Sequence, residues 1–309
     1  MIVEFKDVLK RFDSLIALDN FNIQIKEGEV YGLLGPNGSG KTTAINCMLS
    51  LLHYEKGQVY LFGEKMSQNR FDIKAKIGYV PQEIAVFEEL TVYENIDFFC
   101  GLYVKDNDTR KKYVEDAIEF VDLNDFRKFY PKKLSGGLKR RLNIACGIAH
   151  KPQLIILDEP TVAVDPQSRN SILEGIKKLN KNGATVIYTT HYMEEVEQIC
   201  TRISIMDKGK ILISGDKYEL KKLVGLSDSL ILKDIEIDSS NIETIRKIDG
   251  VGKVVSQNRN LDVQIKDKMT VTKILMYLEK NNIFFQSINI LSPTLNDVFL
   301  EITGRELRD

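Results

Sequence analysis

The sequence predicts an α/β fold built on a parallel sheet, followed by a small α+β domain, and three observations carry that expectation. Short runs of branched apolar residues alternate with amphipathic helical stretches over the first two thirds of the 309 residues. That is the pattern of strands buried on both faces. A glycine-rich segment, G-P-N-G-S-G-K-T-T at 35–43, joins one such run to a helix. Beyond about residue 228 the rhythm changes to strand, helix, two strands, helix, strand, the ferredoxin-like split unit.

Taken in order, segments 2–9 and 16–26 alternate apolar and polar residues and predict a β-rich flank. G-E-V-Y-G-L-L at 28–34 predicts the first buried strand, L-I-I-L at 154–157 and A-T-V-I-Y-T-T at 184–190 two more. I-G-Y-V-P-Q, ending at Gln82, is also strand-like. From there to Lys151 strand patterns vanish, which predicts a helical subdomain over about 83–150. Thr91-Val92-Tyr93-Glu94 opens its first helix as a capping box. Phe98, Phe99 and Tyr103 have helical spacing and are expected in the core, whereas Lys139-Arg140-Arg141 is expected on an exposed helix face. The first domain is therefore placed at 1–219, with a polar connector near 221–228 and a second domain at 225–309. Within the second domain Gln257–Asn260 is read as a turn, and Ser292-Pro293 as the start of the last helix.

Composition bounds the function. With 43 basic and 44 acidic side chains the net charge is −1, which gives no support to a nucleic-acid binder. Cys47, Cys100, Cys146 and Cys200 form no C-x-x-C pair and are expected to be reduced and buried, outside any metal cage. The N-terminus carries no signal-peptide pattern and the apolar runs fall far short of a membrane span. A cytosolic chain is expected, reaching a membrane only through a partner.

The chemistry concentrates at strand ends. The segment at 35–43 fits G-x-x-x-x-G-K-[ST], in which Gly35, Asn37, Gly38, Ser39 and Gly40 wrap phosphates with backbone N–H groups. Lys41 would reach the β- and γ-phosphates, Thr42 would ligate Mg²⁺, and Thr43 completes the motif. In L-I-I-L-D-E-P, Asp158 ends a buried strand where it can hold Mg²⁺, and Glu159 can polarise an attacking water. His191 also follows a buried strand, so Lys41, Asp158 and His191 share the carboxyl edge of one sheet, where ligands bind. Gln82 could touch the metal or the water and report that contact to the helices. Phe12 could stack on adenine or pack in the core. Asp165 precedes Pro166 and reads as a helix N-cap. K-L-S-G-G-L-K-R-R-L at 133–142 sets Ser135, Gly136 and Gly137 at the start of a helix, a place built to hold an anion.

As an ordered set, the phosphate loop at 35–42, Gln82, L-S-G-G-L, L-I-I-L-D-E-P, Asp165 and His191 resemble the ATP-binding subunits of ABC transporters. The resemblance covers residues 1 to about 219. It implies that Phe12 stacks on adenine, that Ser135, Gly136 and Gly137 form the signature motif, that Glu159 is the catalytic base, and that His191 is the switch histidine. It also implies ATP and Mg²⁺ as cofactors. One chain with one phosphate loop and one signature supplies two half-sites, so a second ATPase subunit, identical or paralogous, is implied, closed head to tail on two ATP molecules. Leu138 stands where the family most often has glutamine, and Val162-Ala163-Val164 where many members have S-G-L. Apolar residues after S-G-G, and T-V-x-V-D-P-Q-S-R, resemble the branch serving ABC-2-type exporters. The tail S-P-T-L-N-D-V-F-L-E-I-T-G-R-E-L-R-D resembles daunorubicin-type drug-resistance ATPases. ABC-2-type permease subunits are thus the implied partners, at the cytoplasmic face of the membrane, with a permease helix docking on the helices near 83–105.

Three rivals stand beside this reading. An importer subunit would need a different permease and an extracytoplasmic binding protein. A soluble DNA-repair ATPase would separate phosphate loop and signature by long coiled coils, whereas Lys41 and Ser135 are 94 positions apart; ribosome-associated members usually carry two cassettes. A catalytically dead binding module would not need Lys41, Asp158, Glu159 and His191 together.

Overall fold

A computed structural model of the protein describes residues 1–304, which divide into two compact units, Met1–Lys217 and one beginning at Tyr218. The first unit opens with the strands β1 (Val3–Phe12) and β2 (Leu15–Ile25), then β3 (Val30–Leu34), in which every residue is buried. Helix α1 (Lys41–Met48) follows the glycine-rich loop. Strands β4 (Lys56–Leu61) and β5 (Glu64–Lys65), helix α2 (Phe71–Lys74) and strand β6 (Ile77–Val80) come next. Three helices then run without an intervening strand: α3 (Val92–Gly101), α4 (Asn107–Phe120) and α5 (Gly136–Ile148). The unit continues through β7 (Leu154–Asp158), α6 (Pro166–Lys181), β8 (Thr185–Thr190), α7 (Met193–Ile199), β9 (Arg202–Asp207) and β10 (Lys210–Gly215).

Two sheets result. The flank has the order β2-β1-β4-β5 and is antiparallel. The central sheet has the order β10-β9-β3-β8-β7-β6, parallel except for β10 at one edge. All residues of β7 and β8 are buried, as strands covered on both faces must be. The flank and central sheet share one core, in which Phe5 meets Phe21 edge to face at 5.3 Å and Ile45, Leu61 and Ile156 complete the packing.

The helical segment holds one agreement and two corrections. Thr91 caps α3 through the box with Glu94 that the sequence predicts. Phe98 and Tyr103 are 45% and 44% exposed, so the spacing expected to mark a core instead marks a surface stripe. Arg140 is 6% exposed, not solvated, because α5 turns it toward the loop after β6.

The second unit begins with most of α8 (Lys217–Leu223), which runs into the connector expected near 221–228; its single buried apolar residue, Leu220, is too little to set a period. Then come β11 (Asp228–Lys233), α9 (Ser239–Arg246), β12 (Val251–Gln257), β13 (Asn260–Ile265), α10 (Lys268–Lys280) and β14 (Ser287–Leu291). The antiparallel order β12-β13-β11-β14 is that of the ferredoxin-like split unit. Asn258 and Arg259, at φ 51° and 60°, make the two-residue turn of the β12–β13 hairpin. The last helix, α11 (Leu295–Thr303), starts later than Ser292-Pro293, because Thr294 and Asp297 cap it reciprocally.

Candidate active site

Four loops leave the carboxyl ends of β3, β8, β7 and β6, which are consecutive neighbours in the sheet. They carry the phosphate loop, His191, Asp158-Glu159 and Gln82 respectively. In the phosphate loop, a Cβ on Gly35 would lie 2.3 Å from the Met206 carbonyl oxygen, so only glycine fits there. Gly40 at φ 109° starts α1 without a side-chain cap, leaving the first N–H groups of the helix to a ligand. Asn37 and Gly38 are exposed on the loop, Ser39 is buried with its hydroxyl unpartnered, and Thr43 is half-buried in the first turn of α1. An orphan hydroxyl beside free N–H groups fits an anion cradle.

Lys41 is 5% exposed and its Nζ donates to the carbonyls of Gly35 at 2.8 Å and Pro36 at 3.2 Å. The same Nζ lies 3.1 Å from Glu159 Oε1. Glu159, itself 4% exposed, has its other oxygen 3.3 Å from His191 Nδ1 and accepts from Gln82 Nε2 at 3.4 Å. Its backbone sits at φ 47°, a left-handed conformation that costs a non-glycine residue about 1–2 kcal/mol. The N–H of Glu159 repays part of this by donating to Thr189, to both its carbonyl oxygen and its hydroxyl at 3.1 Å.

Asp158 is fully buried and accepts from Thr42 Oγ1 at 2.9 Å and from Thr189 Oγ1 at 2.5 Å. Burial raises its pKa, against the two hydroxyl donors that lower it. A carboxylate and a hydroxyl held together at the phosphate-loop helix are hard oxygen donors that fit a Mg²⁺ keeping its other positions for phosphate and water.

A third buried carboxylate supports the strand that leads to His191. Glu195 is 2% exposed, accepts from Tyr188 OH at 2.8 Å and Thr190 Oγ1 at 2.9 Å, and lies 3.4 Å from Arg169 Nε. Arg169 belongs to α6, whose N-cap is Asp165, accepting from Ser168 N at 2.9 Å. The helix begun by Asp165 is thereby tied to the segment that carries His191.

The remaining predicted residues lie elsewhere. Ser135 caps α5 by accepting from Leu138 N at 3.3 Å, with Gly136 exposed and Gly137 buried behind it. A Cβ on Gly137 would meet Ser168 Oγ at 2.8 Å and Asp165 Oδ2 at 3.2 Å, so the start of α5 lies against the start of α6. Phe12 ends β1 at 43% exposure, which removes the core alternative, and the Lys10 ammonium lies over its ring, 4.9 Å from the centre. Sequence reasoning missed Thr189, Glu195 and Arg140. T-T-H at the end of β8 was the only trace of Thr189; the other two had none.

Residues 18–162 match the ABC transporter family, and 215–303 match the C-terminal domain of DrrA1-3-like ATP-binding proteins. The linearmycin resistance ATP-binding protein of Bacillus subtilis is 37% identical, with all of each chain covered. The chain belongs to the ABC transporter ATP-binding family. A daunorubicin resistance ATP-binding protein of Streptomyces coeruleorubidus is 32% identical over 96% of this chain and 92% of its own. Among solved structures, an ATP-binding cassette in a dimeric post-hydrolysis state with ADP and Pi is 30% identical, with a TM-score of 0.63 over 69% of this chain and 98% of that one. As a member of this family the protein is an ATP-binding, ATP-hydrolysing motor subunit, and the relatives it resembles are named for drug resistance and export. Among the described residues no helix is long and apolar enough to cross a membrane.

Proposed function

We propose that two such subunits close head to tail on two ATP–Mg²⁺ and so drive an ABC-2-type permease at the cytoplasmic face of the membrane. The observation that carries this reading is the convergence of Lys41, Gln82 and His191 on one strained carboxylate, Glu159. The phosphate loop binds the nucleotide, and Lys41 exchanges Glu159 for the β- and γ-phosphate oxygens. Released, Glu159 accepts a proton from the attacking water while His191 holds the γ-phosphate. Thr42 and Asp158 would hold Mg²⁺, with Gln82 in reach of the metal or the water; the ion supplies charge neutralisation to the transferring group. Ser135, Gly136 and Gly137 close on the γ-phosphate bound by the other subunit, Asp165 lines the same junction, and Phe12 stacks on adenine. Positioning and electrostatics supply the rate.

Export is supported by the relatives, whose names are linearmycin and daunorubicin resistance and Nod factor export ATP-binding proteins. Docking of the permease is supported by the aromatic stripe. Phe87, Phe98, Leu102 and Tyr103 are all at least 43% exposed, beside a groove of about 290 Å³ lined by Pro81, Phe99 and His150. The domain limits follow the same reading, with 1–219 as motor, 83–150 as its helical arm and 225–309 as an accessory or dimerisation domain. The partner subunit is a second copy or a paralogue.

The test is Glu159→Gln. Removal of a positioned base lowers turnover by about a hundredfold or more while nucleotide binding persists. Light scattering after gel filtration should show this variant passing from monomer to dimer on addition of ATP–Mg²⁺. Near-normal hydrolysis, or a mass indifferent to ATP–Mg²⁺ with the protein monomeric throughout, would refute the assignment.

A further inference from the structure

Among the described residues, Arg140 is a buried cation without a counter-ion. It is 6% exposed, and among the described residues no carboxylate pairs with it, whereas its neighbour Arg141 faces Asp122 at 3.5 Å. A buried guanidinium is normally paired, because desolvation penalises the charged form. Here burial lowers the pKa of Arg140. Its only partners among the described residues are main-chain oxygens of the loop after β6. Nη1 donates to the carbonyl of Gln82 at 2.8 Å and to that of Pro81 at 3.3 Å, and Nε is unpartnered. Asn143, one turn further along α5, donates to the Pro81 carbonyl at 3.2 Å and accepts from Ala85 N at 3.0 Å. The loop at 81–85 is therefore clamped to α5.

Gln82 thus faces two ways. Its side chain reaches Glu159 in the phosphate-loop site, and its carbonyl is gripped by α5, the helix that starts at Ser135, Gly136 and Gly137. Arg140 lies only five positions after Ser135, less than one and a half turns of a rigid helix. We propose that Arg140 is a positioning residue that couples the Gln82 of one ATP site to the signature helix serving the other site. This rests on the two-half-site reading above. A rigid planar guanidinium whose Nη1 reaches two successive carbonyls can transmit a displacement of the Gln82 peptide to α5; a lysine, a flexible stem ending in an ammonium, holds it less firmly. The coupling is a free energy shared by two sites through one solid element.

The test uses the full chain carrying Glu159→Gln, in which nucleotide binding and ATP–Mg²⁺-driven dimerisation are read separately, by a fluorescent ATP analogue and by light scattering. Adding Arg140→Lys should leave monomer nucleotide affinity within about threefold, while dimerisation requires at least tenfold more protein, about 1.4 kcal/mol. Gln82→Ala should weaken dimerisation as well. If the two act through one path, the double variant should lose no more than the worse single. Losses that multiply would overturn the coupling, and so would an Arg140→Lys dimer of unchanged strength. Failure of the Glu159→Gln protein itself to dimerise on ATP–Mg²⁺ would instead strike the two-half-site reading. Arg140→Met serves as a second variant, with the same expected split between nucleotide affinity and dimerisation.

Discussion

Glu159 sits in a conformation that favours glycine and points a buried carboxylate at a buried ammonium. Motif residues of this kind were legible in the sequence, because the type and spacing of each answer to one piece of chemistry. Arg140 and Glu195 were not legible. Their burial depends on which neighbouring element each faces, and a run such as K-R-R reads the same on a wet helix as on a clamped one. His150 was equally silent, and it carries a prediction at this scale. Its ring stacks on Tyr103 with centres 4.2 Å apart, and its Nε2 lies 3.1 Å from the Ile77 carbonyl. Burial lowers its pKa, and the Ile77 contact opposes this only in part. Between that lowered value and about 6.5 the unfolded chain binds more protons than the folded one, so stability falls as pH drops through that window. His150→Phe keeps a ring on Tyr103 and removes the titration. Its urea midpoint should change less than the parent's between about pH 7.5 and about pH 5.5. Equal changes in both proteins would exclude His150 as a source of the acid sensitivity.

At the scale of elements, β3, β7 and β8 were readable as unbroken apolar runs, since a strand buried on both faces has no polar side to show. Helix α8 was not, with Leu220 as its only buried residue. The aromatic stripe of α3 misled because helical spacing reports a shared face and says nothing of what covers it. The start of α3 can be tested directly. Thr91 Oγ1 accepts from Glu94 N at 3.3 Å, and Glu94 Oε2 accepts from Thr91 N at 2.8 Å. Thr91→Ala should cost about 1 kcal/mol in urea unfolding, and Thr91→Ser should recover most of it. An unchanged midpoint for the alanine variant would mean that tertiary packing alone holds α3.

For the whole molecule, the change of rhythm after residue 228 was readable because the order of strands and helices differs between the two halves. The arrangement within the second unit follows from its own core, where Leu230, Leu232, Ile245, Val263 and Ile274 are buried among themselves. A fragment from Tyr218 to the C-terminus should therefore fold alone and melt cooperatively, followed by circular dichroism. A broad, non-cooperative melt would show that this unit needs the first one to hold its structure.

The order of strands in the central sheet has a consequence for how the protein is made. Strand β8 lies between β3 and β7 yet is synthesised after both. Until Thr190 has left the ribosome, β3 and β7 have no neighbour to join them, and Glu159 lacks the Thr189 contacts that fix its backbone. Lys41 and Glu159 of a nascent chain are thus not yet held together by the sheet. On the role proposed for Glu159, competence to break down nucleotide arrives late in biosynthesis, with the insertion of one strand.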